Sequence, residues 1–139
     1  MSKVVVYTDG AARGNPGPAS IAYVIDIEKS QPIEHAETIG STTNNQAEYE
    51  ALRQAVAALE GLGIRNSTIS CFSDSELMVK QLNGQYKLKN QEIRAAAARI
   101  RAVVAIMESR GNTISFQAVP RNLNKRADQL ANLALDGKF

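Results

Sequence analysis

The sequence has no tryptophan, one cysteine and one histidine among its 139 residues. The single cysteine, Cys71, excludes an internal disulfide, and its place in an apolar run favours packing as a small hydrophobe over a catalytic role. No stretch approaches the roughly 20 apolar residues of a membrane-spanning helix, and the ends carry no charged-then-apolar secretion signal. We therefore expect a cytoplasmic protein without a membrane partner.

A strong excess of charge of either sign is also missing. The formal net charge is +2, which permits a polyanionic partner without requiring one, since nucleic-acid-binding domains often have an isoelectric point above about 9. The length and the 44% hydrophobic content suit one domain with its own core. No repeat, low-complexity tract or linker divides the chain. We expect one domain over residues 1–139.

The first third of the chain has the pattern of a sheet. Apolar and β-branched residues predict a first strand over residues 4–8, which the turn-forming pair Asp9-Gly10 ends. Two further strands over residues 21–27 and 33–39 follow short polar connections. The economical interpretation is an antiparallel meander of three strands.

The period then changes to that of a helix. Leu52, Ala55 and Leu59 recur at helical spacing after a cap at Thr43 or Asn44, until Gly61 and Gly63 end the pattern. This helical crossover makes the next strand, over residues 68–73, parallel to the first. The remaining predicted elements are helices over residues 76–82, 93–107 and 124–135 and a strand over residues 113–119.

Carboxylates occur where the pattern calls for apolar residues. Asp9 closes the first strand and Asp74 closes the fourth, so parallel pairing would bring both to the carboxyl edge of the sheet, where α/β sheets bind ligands. Glu48 shares a helical face with Leu52 and Leu59 and should point towards the sheet. Asp128 would point inward if the last helix packs beside the fourth and fifth strands.

Each of these residues also has an ordinary structural role open to it. Asp9 suits a turn, Glu48 and Asp128 suit the first turns of helices, and Asp74 suits an N-cap. Together, however, four converging carboxylates would repel one another unless hard divalent cations lay between them. Oxygen-only ligands favour magnesium or manganese over zinc. Paired ions of this kind promote phosphodiester hydrolysis.

Four ordered segments carry a family resemblance. They read YTDGAARGNPGP from Tyr7, TNNQAE from Thr43, SDS from Ser73 and NKRAD from Asn124. With these segments the chain resembles type 1 ribonuclease H over essentially its entire length. The resemblance implies an α/β ribonuclease H-like fold, with a five-stranded mixed sheet flanked by helices. It implies two Mg²⁺ ions, with Mn²⁺ as a substitute, bound by Asp9, Glu48, Asp74 and Asp128.

The implied activity is endonucleolytic cleavage of the RNA strand of RNA–DNA hybrids, leaving 3′-hydroxyl and 5′-phosphate ends. No obligate protein partner is implied, and we expect a monomer. The resemblance places Asn44 and Asn45 in the minor groove of the hybrid and the backbone of Gly10, Ala11 and Ala12 near a ribose hydroxyl, the group that distinguishes RNA from DNA. It places Asn15 and Thr43 at a phosphate of the DNA strand. These residues also suit plain turn and capping roles, which are compatible with binding.

The sequence departs from the family pattern in the loop before the last helix. Many members carry a histidine there, whereas this loop contains Arg121, and the only histidine, His35, lies in the third strand as an expected surface residue. An arginine at this position resembles the pattern of the compact, archaeal-like branch of the family. We assign Arg121 an auxiliary catalytic role. Its fixed positive charge could hold a phosphate but could not act as a general base.

A second departure concerns substrate grip. The basic, tryptophan-bearing protrusion of some relatives is missing, and Glu76 replaces a glutamine. Scattered cations beside Tyr86 could still line a nucleic-acid path, although most such charges are merely solvated; they are Lys80, Lys87, Lys89 and Arg94. Two alternatives stay open: cleavage of double-stranded RNA as well, and a non-catalytic nucleic-acid-binding module on the same fold.

Overall fold

The computed structural model describes residues 2–139, which form one five-stranded sheet and four α-helices. The elements in chain order are β1 (Lys3–Ala12), β2 (Gly17–Ile27), β3 (Ile33–Thr42), α1 (Asn44–Gly61), β4 (Thr68–Ser73), α2 (Glu76–Leu82), α3 (Gln91–Ser109), β5 (Thr113–Ala118) and α4 (Lys125–Leu135). The strand order is β3-β2-β1-β4-β5. The first three strands are antiparallel, β4 is parallel to β1, and β5 is parallel to β4. The predicted mixed sheet is confirmed.

The start of α1 is fixed by a reciprocal cap. Thr43, and not Asn44, is the N-cap residue: its hydroxyl accepts a hydrogen bond from the Gln46 backbone N–H, and its own N–H donates to Gln46 Oε1. This capping box satisfies two backbone donors that the first helical turn leaves free. The face carrying Leu52, Ala55 and Leu59 is buried, as the helical spacing predicted.

The two faces of the sheet carry separate cores. On one face α1 and α3 pack over a large apolar cluster that includes Val4, Val6 and Ile25. On the other face α4 packs over a smaller cluster in which Ala22 and Val24 meet Leu130. Alternate residues of β1 and β2 therefore face opposite helical layers, as the period of a strand requires.

The prediction that α4 packs beside the fourth and fifth strands is wrong. The helix lies against β1, β2 and β3. Small side chains on β2 and β3, among them Ala22 and Ala36, leave room for Leu130 and Ala131. The buried Ser20 hydroxyl also donates to the Ala131 carbonyl over 2.7 Å. A helix of this amphipathic pattern specifies a buried stripe but not which strands will cover it.

The first strand is longer than predicted. Its parallel ladder with β4 ends at the pair Thr8–Ser73, but its antiparallel ladder with β2 continues to the pair Ala12–Ala19. Asp9 therefore lies inside β1 and does not end it. Asp9 and Asp74 nevertheless each follow the last β1–β4 pair, Thr8–Ser73. They therefore reach the same edge of the sheet, as expected.

The remaining sequence expectations concern isolated residues. Cys71 is a buried free thiol, 3% exposed, as predicted. His35 lies on β3 with a partly exposed ring whose Nε2 is 3.2 Å from Glu37 Oε1, also as predicted. Within residues 2–139, no helix combines the length and the hydropathy that crossing a membrane would need.

Candidate active site

A single open cleft lies at the carboxyl ends of β1 and β4. Its walls come from the end of β1, the first turns of α1, the segment after β4, the loop before α4 and the outer face of α4. The predicted site residues that line it are Asp9, Gly10, Ala11, Ala12, Asn44, Asn45, Glu48, Asp74, Arg121 and Asp128. The sheet edge thus gathers residues that are up to 119 positions apart in the chain.

Three carboxylates form the centre of the cleft. Asp9, Glu48 and Asp74 each present an oxygen, and these oxygens all lie within 4.8 Å of one another. Asp9 is 4% exposed and Glu48 is 8% exposed. Asp74 Oδ2 is buried and has no hydrogen-bond partner within residues 2–139. We call these three residues the acidic trio.

The trio depends on a close approach between α1 and β1. Gly10 lies directly beneath the first turn of α1, where a Cβ atom would overlap the backbone of Ala47 and Glu48. At this distance the Gly10 N–H donates to Glu48 Oε1 over 2.7 Å. Only glycine fits at this position, because any side chain would collide with the backbone of α1. The close approach lets the Glu48 carboxylate reach the backbone of β1.

Burial and the neighbouring negative charges raise the pKa values of Asp9 and Glu48. Burial, followed by the negative charges of Asp74 and Asp128, raises the pKa of Asp9 to about 8, against a smaller opposing effect of Arg121. Burial and the charges of Asp9 and Asp74 likewise raise the pKa of Glu48 well above its usual value, although the Gly10 hydrogen bond opposes this. The chain alone therefore does not support three ionised carboxylates at neutral pH.

This donor set suits a hard divalent cation. The donors are all oxygens, and one of them, Asp74 Oδ2, is buried and accepts no hydrogen bond from residues 2–139. Such a cation would favour the ionised forms of Asp9 and Glu48, which burial and repulsion now disfavour. Mg²⁺ and Mn²⁺ prefer carboxylate ligands, whereas the nitrogen and sulfur ligands typical of structural zinc are not in the trio.

Asp128 and Arg121 flank the trio from a separate segment. Asp128, in the first turn of α4, is partly exposed and lines the same cleft, and its negative charge contributes to the raised pKa of Asp9. Arg121 lies in a 3-10 turn before α4, with its Nε 3.7 Å from Asp74 Oδ2 and its side chain 84% exposed. The structure thus brings all five predicted catalytic residues to one cleft.

Among the predicted substrate-contacting residues, Ala12, Asn44 and Asn15 are joined by hydrogen bonds between the end of β1 and the start of α1. The Ala12 N–H donates to Asn44 Oδ1 over 3.0 Å, and the Asn44 N–H donates to Asn15 Oδ1 over 3.1 Å. Each asparagine uses its oxygen within the protein, which leaves its amide nitrogen as the group that can donate to a ligand. Asn45 Oδ1 is buried without a partner in the described chain. Thr43 caps α1, and in residues 2–139 neither Thr43 nor Asn15 is among the residues that line the cleft.

The basic residues divide into those that reach the cleft and those that do not. Lys80 lines it and pairs with Glu76, with 2.7 Å between Nζ and Oε1. Lys87, Lys89 and Arg94 are exposed and, in residues 2–139, lie outside the cleft lining. Sequence reasoning missed one cation, Arg13, which lines the cleft and pairs with Asp136 over 2.7 Å. The only sequence signal for a role of Arg13 in the cleft is its position between Gly10 and Gly14.

Comparison with known proteins places this geometry among nucleases. A family model described as RNase H matches residues 1–136. Ribonuclease HI of Halobacterium salinarum is 40% identical over 135 residues, which are 96% of this chain and 65% of that protein. The bifunctional protein Rv2228c of Mycobacterium tuberculosis is 35% identical over 136 residues, 96% of this chain and 36% of that protein. The chain thus spans less than two thirds of the length of these curated relatives.

Solved structures give the same result for the fold. The crystal structure of RNase H1 from the halophilic archaeon Halobacterium salinarum superposes with a TM-score of 0.87 at 40% identity, covering 97% of this chain and 98% of that one. LC11-RNase H1, isolated from compost and solved in complex with an RNA/DNA hybrid, gives a TM-score of 0.88 at 40% identity, covering 96% and 97%. The sheet and the helices around the cleft are therefore shared with these proteins.

Proposed function

The chain belongs to the RNase H family, and from this premise we propose that it is an endonuclease that hydrolyses the RNA strand of RNA–DNA hybrids. The observation that carries the proposal is the acidic trio, together with Asp128, at the sheet edge. A module that only bound nucleic acid would gain nothing from buried carboxylates that face phosphates. We take residues 1–139 as one catalytic domain and expect it to act as a monomer in the cytoplasm.

Asp9, Glu48, Asp74 and Asp128 would hold two divalent ions, Mg²⁺ or its substitute Mn²⁺. When bound, such ions supply activation of a water molecule for in-line attack on phosphorus and stabilisation of the leaving oxygen, with 3′-hydroxyl and 5′-phosphate ends as products. The chain itself contributes orientation. The Gly10 N–H fixes one oxygen of Glu48 over 2.7 Å, and burial keeps bulk water away from Asp9.

Recognition of RNA would use the wall formed by the end of β1 and the start of α1. The N–H groups of Gly10 and Ala12 are already engaged by Glu48 and Asn44. A ribose 2′-hydroxyl that meets this segment would therefore donate its proton to a backbone carbonyl oxygen. The amide nitrogens of Asn44 and Asn45 would donate to base-edge acceptors in the minor groove, and Asn15 and Thr43 would hold a phosphate of the DNA strand.

Arg121 would assist without transferring a proton. Its guanidinium is permanently charged, so it cannot act as a general base. Its high exposure, beside Asp74, leaves it free to attract a phosphate of the substrate or of the product. The relative LC11-RNase H1, solved with an RNA/DNA hybrid, supports the hybrid as the substrate class.

The test is cleavage of an end-labelled RNA–DNA hybrid by the purified chain in Mg²⁺, in Mn²⁺ and in a chelator, beside Asp9→Asn as the matched control. We expect cuts in the RNA strand that need a divalent ion and that Asp9→Asn does not make. An uncut hybrid, or equal cutting by Asp9→Asn, would show the proposal to be wrong. A double-stranded RNA arm decides whether the substrate class extends to that duplex.

A further inference from the structure

The free edge of β1 past the end of β4 is completed by side chains from outside the sheet. Even-numbered residues of β1 turn their backbone groups towards β4, as the Thr68 N–H donating to the Ser2 carbonyl shows. Beyond the pair Thr8–Ser73, no strand of residues 2–139 pairs with this side of β1. Backbone polar groups at such an edge need other partners.

Three side chains supply those partners in succession. The Thr8 carbonyl accepts from Asn124 Nδ2 over 2.9 Å, the Gly10 N–H donates to Glu48, and the Ala12 N–H donates to Asn44. Glu48 and Asn44 already have roles in the proposed function. Asn124 is the third member of the series and bonds to Thr8, the residue before Asp9, yet the proposed function gives it no role.

Asn124 meets this need at the expense of its own helix. It occupies the N-cap position of α4, where asparagine is among the most favourable residues because its oxygen can accept from the first free N–H groups. Here its side chain makes no capping hydrogen bond. It is 1% exposed, and its Oδ1 has no partner in the described part of the chain. Broken local preferences of this kind concentrate at functional sites.

Its position joins three of the segments that line the cleft. The Asn124 N–H donates to the Arg121 carbonyl, and the Asn124 carbonyl accepts from the Asp128 N–H. Its side chain reaches Thr8, the residue before Asp9. The Arg121 turn, the first turn of α4 and the end of β1 therefore meet at this one residue.

We infer that Asn124 is a positioning residue that holds Asp128 against Asp9 and so completes the divalent-cation site. It acts through Asp128 and touches no substrate. The inference rests on the proposed function for the identity of the site, but it concerns cation affinity and can be measured in the absence of nucleic acid.

Asn124→Ser separates positioning from simple helix stability. Serine caps helices about as well as asparagine, so the variant keeps or improves the N-cap of α4. Its side chain is too short to reach Thr8, so the variant loses the hydrogen bond to the Thr8 carbonyl. The matched control is Asn122→Ser, the same change at an exposed position of the same loop. The probe is Mn²⁺, titrated into each folded protein by calorimetry, with thermal melting in a chelator as the check on folding.

We expect Asn124→Ser to bind Mn²⁺ about 10-fold more weakly than the parent, in the range seen when residues that orient metal ligands are lost. It should need correspondingly more Mg²⁺ for half-maximal hybrid cleavage, while the KM for the hybrid stays unchanged. Asn122→Ser should match the parent in all three measurements. In an Asp128→Asn background, Asn124→Ser should add little, because its effect passes through Asp128.

Parental Mn²⁺ affinity in a folded Asn124→Ser would overturn the inference, as would a full additional loss in the Asp128→Asn background. If Asn124→Ser does not fold, the same titration with Asn124→Asp decides, since this near-isosteric change sets an acceptor against the Thr8 carbonyl. Weakened Mn²⁺ binding in a chain that cuts no hybrid would refute the proposed function and leave the inference standing. Hybrid cleavage by the parent chain, together with unchanged Mn²⁺ binding in Asn124→Ser, would support the proposed function and refute the inference.

Discussion

The two halves of the cleft differ in how firmly the fold holds them. The acidic trio sits on β1, on α1 and just after β4, next to the large core; Asp9 and Glu48 are buried, and the Asp74 side chain is 12% exposed. Asp128 and Arg121 come from the other layer, where α4 packs on a smaller cluster, and Arg121 is largely exposed. The core fixes the first half, whereas the second half depends on a few local bonds. Substitutions in the two halves should therefore have different consequences.

The largest effect should come from the central carboxylate of the trio. Asp9→Asn is expected to lower kcat for hybrid cleavage on the order of 10³-fold, since cation-assisted stabilisation is worth several kcal/mol and each 1.4 kcal/mol is about tenfold. The same variant should melt at a higher temperature in a chelator, because the asparagine has no ionisable group that burial and the neighbouring negative charges disfavour. Asp128→Asn, outside the trio, should cost about tenfold at most. Single-turnover kinetics and melting curves measure both, and equal losses in the two variants would remove the distinction between the halves.

The trio could be predicted from sequence because strand order and helical phase determine it. Parallel pairing brings Asp74 level with Asp9 whatever the exact end of β1, and the spacing from Glu48 to Leu52 and Leu59 sets the direction of Glu48. The strand end itself was misplaced, because the continued pairing with β2 is a non-local contact that a local turn signal hides. These two carboxylates and the helix face needed no family likeness.

The other half could not be predicted in the same way. The apolar stripe of α4 indicates burial but not the face of the sheet that it covers, so Asp128 was placed by resemblance and its helix was assigned to the wrong strands. Asn124 has the pattern of an ordinary N-cap, and only the structure shows its side chain bonded to Thr8. The missing information in both cases is tertiary contact between segments that lie far apart in the sequence.

A backbone substitution tests how tightly the first half is built. Gly10→Ala would force a methyl group into the backbone of α1, so we expect a loss of about 3 kcal/mol or more in the free energy of unfolding, at the upper end for overpacked sites. Cation affinity should fall with it as Glu48 is displaced. Gly61→Ala, in the last turn of the same helix with open space around it, is the control and should be neutral or slightly stabilising. Denaturant unfolding measures both, and a neutral Gly10→Ala would contradict the close approach.

The pH dependence of stability reports on burial of the trio. In a chelator, the Asp9 carboxyl of the unfolded chain ionises near pH 4, whereas in the folded chain its pKa is raised to about 8. Between these values folding takes up a proton, so the contribution of this group to stability declines as pH rises and is constant again above about pH 8. Measured against Asp9→Asn, the parent should lose on the order of a few kcal/mol across this window.

The comparison with Asp9→Asn cancels the titration of unrelated carboxyl groups. Urea unfolding at intervals from pH 4 to pH 9 would supply the difference curve. Saturating Mg²⁺ should abolish the decline, because the cation favours the ionised trio. A flat difference curve in the chelator would mean that Asp9 is better solvated than its burial indicates.

The smallest effect is expected in the second half, at Arg121. Arg121→Ala should slow hybrid turnover several-fold without abolishing it, and it should leave the melting temperature nearly unchanged, because exposed ion pairs contribute at most about 1 kcal/mol. Arg121→Lys should restore most of the rate, since a guanidinium that is 84% exposed and 3.7 Å from Asp74 contributes its charge more than a fixed fork geometry. Steady-state kinetics at two salt concentrations separates the outcomes. A lysine variant as slow as the alanine variant would show that Arg121 makes a directed, two-pronged contact, and would place it with the firmly held half of the cleft.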